Sequence, residues 1–118
     1  MQRRILPGAI VIGFMTALLT VPFMNTSVLA GSNKHVAEAI EHAKEAVEHG
    51  KQGHADVLVK HAEGALKHAE MAQKEMPNPH IAEGVKGLKD AVEHGKAGHA
   101  DVATKAAEGA IMHLSEGK

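Results

Sequence analysis

Apolar residues recur along this chain at the spacing of an amphipathic helix. Val36, Ile40, Ala43 and Val47 step by four, three and four, so they form one stripe along a helix face. Three later segments repeat the pattern, with Val102 and Ala103 as alternatives at the start of the last: Leu58, Ala62, Ala65, Ala69 and Ala72; Ile81, Val85, Leu88 and Val92; Val102 or Ala103, Ala107, Ala110, Ile111 and Leu114. The pattern therefore predicts four helices.

Glycine and proline divide the four segments. A Gly-Lys-x-Gly sequence interrupts the pattern twice, and we expect its first glycine, Gly50 or Gly95, to end a helix. Before the third segment, Asn78 is suited to the N-cap and Pro79 to the first helical position. Four short helices with short connections predict an all-α fold, an up-down-up-down four-helix bundle.

The chain also repeats itself with a period of 45 residues. Nine of the ten residues 48–57 are identical to their equivalents in 93–102, so residues of about 33–76 and 78–118 are interpreted as two copies of one helical hairpin. The predicted core is thin, because alanine dominates the stripes and four glycines lie inside the helices: Gly64, Gly84, Gly87 and Gly109. We therefore expect marginal stability without a ligand.

Residues 1–30 have the features of a secretory signal peptide. Arg3 and Arg4 precede a mostly apolar run, and Val28-Leu29-Ala30 places small residues at a cleavage site. Cleavage after Ala30 would leave residues 31–118 as a periplasmic domain. A retained membrane anchor is the alternative, because the apolar run is long enough to span a bilayer.

Composition excludes several functions for residues 31–118. All 14 acidic residues but only 11 of the 13 basic residues lie there, and this negative charge disfavours nucleic-acid binding. The chain has no cysteine, which excludes disulfides and c-type haem attachment. Both phenylalanines precede Gly31, so the domain lacks the aromatic residues that usually line an enzyme pocket.

The histidines have the most regular spacing in the chain. Within each of the first two helices they step by seven residues, close to two helical turns, so each set forms one stripe. Imidazole nitrogens are common ligands of transition metals. The ten candidate ligands are His35, His42, His49, His54, His61, His68, His80, His94, His99 and His113.

Two arrangements can bring a second ligand to each histidine. On the first helix, Glu38 and Glu45 alternate with histidines at spacings of three and four, and Glu83 and Asp90 continue this in part on the third helix. Across each antiparallel hairpin, residues equally far from the turn should lie side by side. The predicted pairs are His49 with His54, His42 with His61, His35 with His68, His94 with His99, and His80 with His113.

In the second hairpin, the positions equivalent to His42 and His61 are occupied by Gly87 and Ala106 instead of histidine. These two residues are themselves predicted to lie side by side across the hairpin. Met71 and Met112 are interpreted as core filler, with the alternative that they bind reduced copper.

These motifs resemble the small metal-binding protein (SmbP) family. The resemblance covers residues 33–114 and rests on His-Ala-x-x-Ala heptads at 42–46 and 61–65, the His-Gly-Lys-x-Gly-His turns at 49–54 and 94–99, and the closing Ala-x-Glu-Gly-Ala-Ile-Met-His-Leu. It implies a periplasmic four-helix protein that binds several divalent ions, copper foremost, for buffering or detoxification. The departure at Gly87 and Ala106 implies fewer ions in the second half.

We therefore expect a monomeric, non-enzymatic protein that sequesters Cu²⁺, Ni²⁺ or Zn²⁺ and that contacts neither nucleic acid nor membrane after cleavage. The histidine pairs would be the primary ligands and the neighbouring carboxylates auxiliary ones. Two alternatives stay open at this point: a structural or adaptor bundle with solvated histidines, and a metal-dependent enzyme. No His-Glu-x-x-His motif or other catalytic signature supports the second alternative.

Overall fold

Four antiparallel helices form a closed bundle in the computed structural model, which describes residues 31–117. Each helix packs against its neighbours in the chain, and the first also packs against the last, as predicted for an up-down-up-down bundle. The described residues contain no strand. The helices are α1 (Gly31–Lys51), α2 (Ala55–Glu75), α3 (Pro79–Lys96) and α4 (Ala100–Gly117).

The predicted apolar stripes form the core. Every stripe residue on α1 and α2 is buried, and on α4 the core residue is Ala103, whereas Val102 is 42% exposed. Val85 and Ile111 are only partly buried and pack at the edge of the core. Most core positions are alanine, and the largest fully buried side chains are Leu58, Ile81, Leu88, Leu114 and Val36. The small residues allow the four helices to approach closely.

The helix ends correct one prediction from the sequence. Gly50 and Gly95 do not end α1 and α3, which continue to Lys51 and Lys96. Both glycines are buried where helices meet: a Cβ on Gly50 would lie 2.6 Å from Leu58 Cδ1, and one on Gly95 would lie 2.6 Å from Val59 Cγ2. The second glycine of each motif ends the helix instead, because Gly53 and Gly98 adopt φ of +84° and +83°.

The start of α3 follows the prediction. Pro79 occupies the first turn, and Asn78 is the N-cap, where its side-chain oxygen accepts a hydrogen bond of 2.7 Å from the His80 N–H. The proline ring and the side-chain cap fix the point at which the second hairpin begins.

Contacts between the two hairpins follow the same 45-residue offset as the sequence. Lys51 of α1 reaches Glu108 of α4 at 3.7 Å, and the equivalent Lys96 of α3 reaches Glu63 of α2 at 3.5 Å. These pairs are exposed and add little stability. We call the surface line along which two neighbouring helices meet a seam. Because α1 also contacts α4, and α2 also contacts α3, the α1–α2 seam and the α3–α4 seam lie on opposite sides of the bundle. None of the helices in residues 31–117 is both long and apolar enough to cross a membrane.

Candidate metal centre

Histidines of the first hairpin lie along the seam between α1 and α2. They stand beside the apolar stripe, so helix packing covers one side of each ring and water reaches the other. The side chains of His35 and His68 are 22% and 25% exposed, and that of His42 is 40% exposed. These three rings are therefore neither fully buried nor fully solvated.

The tightest group of possible ligands joins His35, Glu38 and His68. Glu38 Oε1 lies 3.2 Å from His68 Nδ1 and 3.7 Å from His35 Nδ1, and the two Nδ1 atoms are 3.4 Å apart. Ligand atoms about 2 Å from a tetrahedral ion are separated by about 3.3 Å. The three atoms therefore already have the spacing of a metal site, and Glu75 Oε2 lies 3.7 Å from the other nitrogen of His35.

A second group one heptad along the seam joins His42, Glu45 and His61. Glu45 Oε1 lies 3.2 Å from His61 Nδ1 and 3.6 Å from His42 Nδ1. All three possible ligand atoms lie within 4.8 Å of one another. As in the first group, the glutamate follows its own histidine by three residues and reaches across to the histidine of the neighbouring helix.

The third group lies on the opposite seam and joins His80, His113 and Glu116. Glu116 Oε1 is 3.1 Å from His80 Nδ1 and 4.0 Å from His113 Nδ1, and the three possible ligand atoms lie within 4.8 Å of one another. Here the carboxylate comes from α4 rather than from α3. We refer to the three groups as the His35, His42 and His80 clusters.

Imidazole rings connect the two clusters of the first hairpin. Besides the predicted side-by-side pairs, His42 stacks on His68 at 5.5 Å between ring centroids, and His49 stacks on His61 at 5.3 Å. The ring centroids of the predicted pairs, His35–His68, His42–His61 and His49–His54, are 5.6, 6.2 and 6.1 Å apart. Together these contacts form one zigzag row of six rings along the seam, in the order His35, His68, His42, His61, His49 and His54.

The row is interrupted in the second hairpin. The predicted partners Gly87 and Ala106 do face each other, because a Cβ on Gly87 would lie 3.2 Å from the Ala106 carbonyl oxygen. At this level α3 and α4 approach closely. The His80 cluster at one end of the seam is therefore separated from the ring pair of His94 and His99, at 6.2 Å, at the other end.

Ring nitrogens without a hydrogen-bond partner indicate that these groups suit a metal ion. His42 Nδ1, His49 Nδ1 and His113 Nδ1 are shielded from solvent and have no hydrogen-bond partner. Shielded polar atoms normally have a partner, and an absent ion is one reason for an exception. Two of these nitrogens belong to the clusters, so an ion there would supply the missing interaction.

Other predicted ligands lie outside the three clusters. Glu83 and Asp90 are exposed on α3, and neither joins a group of three possible ligands within residues 31–117. The histidines next to the turns form ring pairs without a carboxylate. The methionines are not core filler as expected, because Met71 is 40% and Met112 is 67% exposed.

Glu116 is the cluster residue that sequence reasoning missed. It follows His113 by three residues, the same spacing as His35 to Glu38 and His42 to Glu45. That spacing could have identified it. His80 and Glu83 share the spacing too, but the carboxylate beside His80 is that of Glu116.

The comparison with known proteins agrees with this site chemistry. No curated protein matches the chain. The family model described as small metal-binding protein matches residues 9–117, which is most of the chain and includes all three clusters. The protein therefore belongs to the small metal-binding protein family.

Proposed function

We propose that this protein sequesters several divalent transition-metal ions in the periplasm, Cu²⁺ foremost, and so buffers their concentration. The observation that carries the proposal is the spacing of ligand atoms in the three clusters, each with two imidazoles and one carboxylate. Metal binding follows from membership of the family. The preference for copper, the periplasmic location and the buffering role go beyond family membership, and the proposal adds them.

The ligand set supports copper as the preferred ion. Nitrogen and oxygen ligands bind Cu²⁺ more tightly than Ni²⁺ or Zn²⁺ unless the protein imposes a geometry. The clusters lie on open seams, and their long side chains can rearrange around different ions. We therefore expect affinity to follow the intrinsic order of the metals, with Ni²⁺ and Zn²⁺ as weaker cargo.

Storage rather than catalysis fits the arrangement of the sites. Three similar clusters are distributed over two faces of the bundle, whereas an enzyme usually concentrates its chemistry in one enclosed pocket. The periplasmic location rests on the signal-peptide features of residues 1–30, which lie outside the described residues. Amino-terminal sequencing of the protein from a periplasmic extract should begin at Gly31.

A calorimetric titration of the metal-free protein with Cu²⁺ at about pH 7 tests the binding model. We expect several ions per chain, with weaker binding of Zn²⁺ and Ni²⁺. The double variant His42→Ala/His61→Ala should lose about one ion, since it removes both imidazoles of one cluster. A matched control changes the exposed neighbours, Glu41→Ala/Lys60→Ala, and should lose none. Equal stoichiometry in both variants would contradict the proposal.

A further inference from the structure

The two turns that connect the helices within each hairpin have a specific hydrogen-bonded form. In the first turn, the His54 N–H donates to the His49 carbonyl at 2.9 Å and the Gly53 N–H donates to the Gly50 carbonyl at 3.0 Å. With Gly53 in the left-handed region, these two bonds define a Schellman motif. The second turn repeats it, with distances of 2.8 Å from the His99 N–H to the His94 carbonyl and 3.0 Å from the Gly98 N–H to the Gly95 carbonyl.

Histidines occupy the two motif positions whose side chains normally make an apolar contact. In a Schellman motif the residue after the left-handed glycine packs against the residue five positions earlier. Here those residues are His54 and His49 in the first turn, and His99 and His94 in the second. We call these the first and second turn pairs. The motif thus places two metal-binding side chains where other proteins place two apolar ones.

The geometry of the turn pairs comes from the turn itself. Ring centroids are 6.1 Å apart with an interplanar angle of 35° in the first pair, and 6.2 Å apart with 36° in the second. Their surroundings differ, because His61 stacks on His49 but the equivalent position beside His94 is Ala106. The same geometry in different surroundings indicates that the local hydrogen bonds set it.

We propose that each turn pair binds a divalent transition-metal ion and that this ion clips the turn closed. Ring nitrogens about 2 Å from a shared ion place two imidazole centroids about 5 to 6 Å apart, so small side-chain rotations suffice. The turn pairs would add two sites without a carboxylate to the three clusters. The proposal rests on the proposed function, because the ion that it invokes is the divalent metal that the protein would sequester. In the first turn, the shielded Nδ1 of His49 has no hydrogen-bond partner, so no protein group would compete with an ion for this nitrogen.

The clip links metal loading to the stability of one end of the bundle. The first residue of each turn pair lies in the last turn of one helix, and the second precedes the next helix, where the His54 and His99 carbonyls accept from Leu58 and Ala103 at 3.0 and 2.9 Å. Because only the closed turn brings both rings together, an ion there binds the closed state alone. Opening of the turn therefore becomes rarer as the free ion concentration rises above the dissociation constant of the site.

Amide hydrogen exchange at the turns tests the clip. The Gly53 and His54 N–H groups exchange only when their bonds to α1 open, so exchange reports opening of the first turn directly. With free Cu²⁺ at 100 times the dissociation constant of the site, exchange of these amides should slow by about 100-fold. The His54→Ala variant should lose this slowing in the first turn and keep it in the second, and His99→Ala should show the reverse.

A matched control in the same turn is Gln52→Ala. Gln52 is exposed, and the equivalent position of the second turn, Ala97, already carries alanine. This variant should keep the full slowing. His54→Ala should also leave the metal-free fold unchanged by circular dichroism, because the His54 side chain makes no capping hydrogen bond.

Failure of the clip is distinguishable from failure of the proposed function. If Cu²⁺ slows exchange equally in the native protein and in His54→Ala, or in neither, while calorimetry still counts ions at the three clusters, the clip is wrong and sequestration stands. If calorimetry detects no bound ion, both proposals fail.

Discussion

One carboxylate stands between two imidazoles in each cluster, and we expect this residue to influence how the cluster would bind an ion. Glu38, Glu45 and Glu116 each place an oxygen 3.1 to 3.2 Å from a histidine nitrogen on the neighbouring helix. A carboxylate in this position either binds the ion itself or orients the imidazole that does, and in both cases it offsets positive charge.

Replacing Glu38 tests this role in the tightest cluster. Glu38→Gln keeps the shape of the side chain but removes its charge, and we expect the Cu²⁺ affinity of the His35 cluster to fall about 10- to 100-fold. Competition against a colorimetric chelator would measure this. Glu41→Gln removes a charge from an exposed face of the same helix and should leave the affinity unchanged. Equal losses in the two variants would mean that only the overall charge matters.

The His80 cluster provides a second test, because sequence and structure assign its carboxylate to different residues. Glu116→Gln should weaken Cu²⁺ binding at this cluster by about 10-fold or more, since Glu116 approaches both histidines. Glu83→Gln should have no effect, because Glu83 is exposed and outside the cluster. Titration of the two variants in parallel decides between them. A larger loss of affinity in Glu83→Gln would contradict the structure and support the prediction from sequence spacing that Glu83 is the carboxylate beside His80.

Sequence reasoning predicted the ring pairs better than the carboxylates. A short turn between antiparallel helices fixes which residues stand at the same height, so pairs such as His42 with His61 follow from counting. Glu116 was missed because a glutamate side chain can reach along or across a helix, and spacing alone does not show which. The diagonal stacking of His42 on His68 likewise depends on how far each helix is rotated about its axis.

At the scale of helices, glycines inside α3 and α4 have opposite roles. A Cβ on Gly84 would lie 2.7 Å from two atoms of the fully buried Leu114, so this glycine is needed for α3 to approach α4. A Cβ on Gly109 would have nothing within 4 Å, so this glycine only weakens its helix. The thin core predicted from the sequence thus contains glycines that packing requires and glycines that it does not.

This difference predicts opposite effects of two identical substitutions. Gly109→Ala should stabilise the metal-free protein by about 0.5–1 kcal/mol, because alanine favours the helix and the space is open. Gly84→Ala should destabilise it, by up to about 3 kcal/mol, because Leu114 cannot move aside in a packed core. Urea unfolding followed by circular dichroism would measure both. Stabilisation by Gly84→Ala would show that the α3–α4 contact is looser than described.

The helix ends were harder to predict than the helices, for a related reason. Each Gly-Lys-x-Gly motif offers two glycines that could end a helix, and the apolar pattern does not distinguish them. The choice depends on tertiary contacts: Gly50 and Gly95 are required where helices cross, which leaves Gly53 and Gly98 for the left-handed turn.

For the molecule as a whole, the two seams carry unequal numbers of ligands on opposite faces. The first seam has six connected rings and two clusters, and the second has one cluster and a separate turn pair. Loaded ions are therefore distributed around a core made mainly of alanine. Such a core gives little stability by burial alone, so each bound ion should contribute a large fraction of the total.

Thermal unfolding with and without metal measures that contribution. An ion present at 100 times its dissociation constant adds about 2.7 kcal/mol if it binds only the folded state, which should raise the Tm by roughly 10–20 °C for a domain of this size. Protons compete with metal ions for imidazole nitrogens, so the metal-dependent shift in Tm should shrink as the pH falls below neutral.

The variant His42→Ala/His61→Ala should lose part of the shift at neutral pH, while Glu41→Ala/Lys60→Ala keeps all of it. A shift in Tm that survives acid, or that is the same in both variants, would place the bound ions on carboxylates or backbone rather than on the histidine clusters.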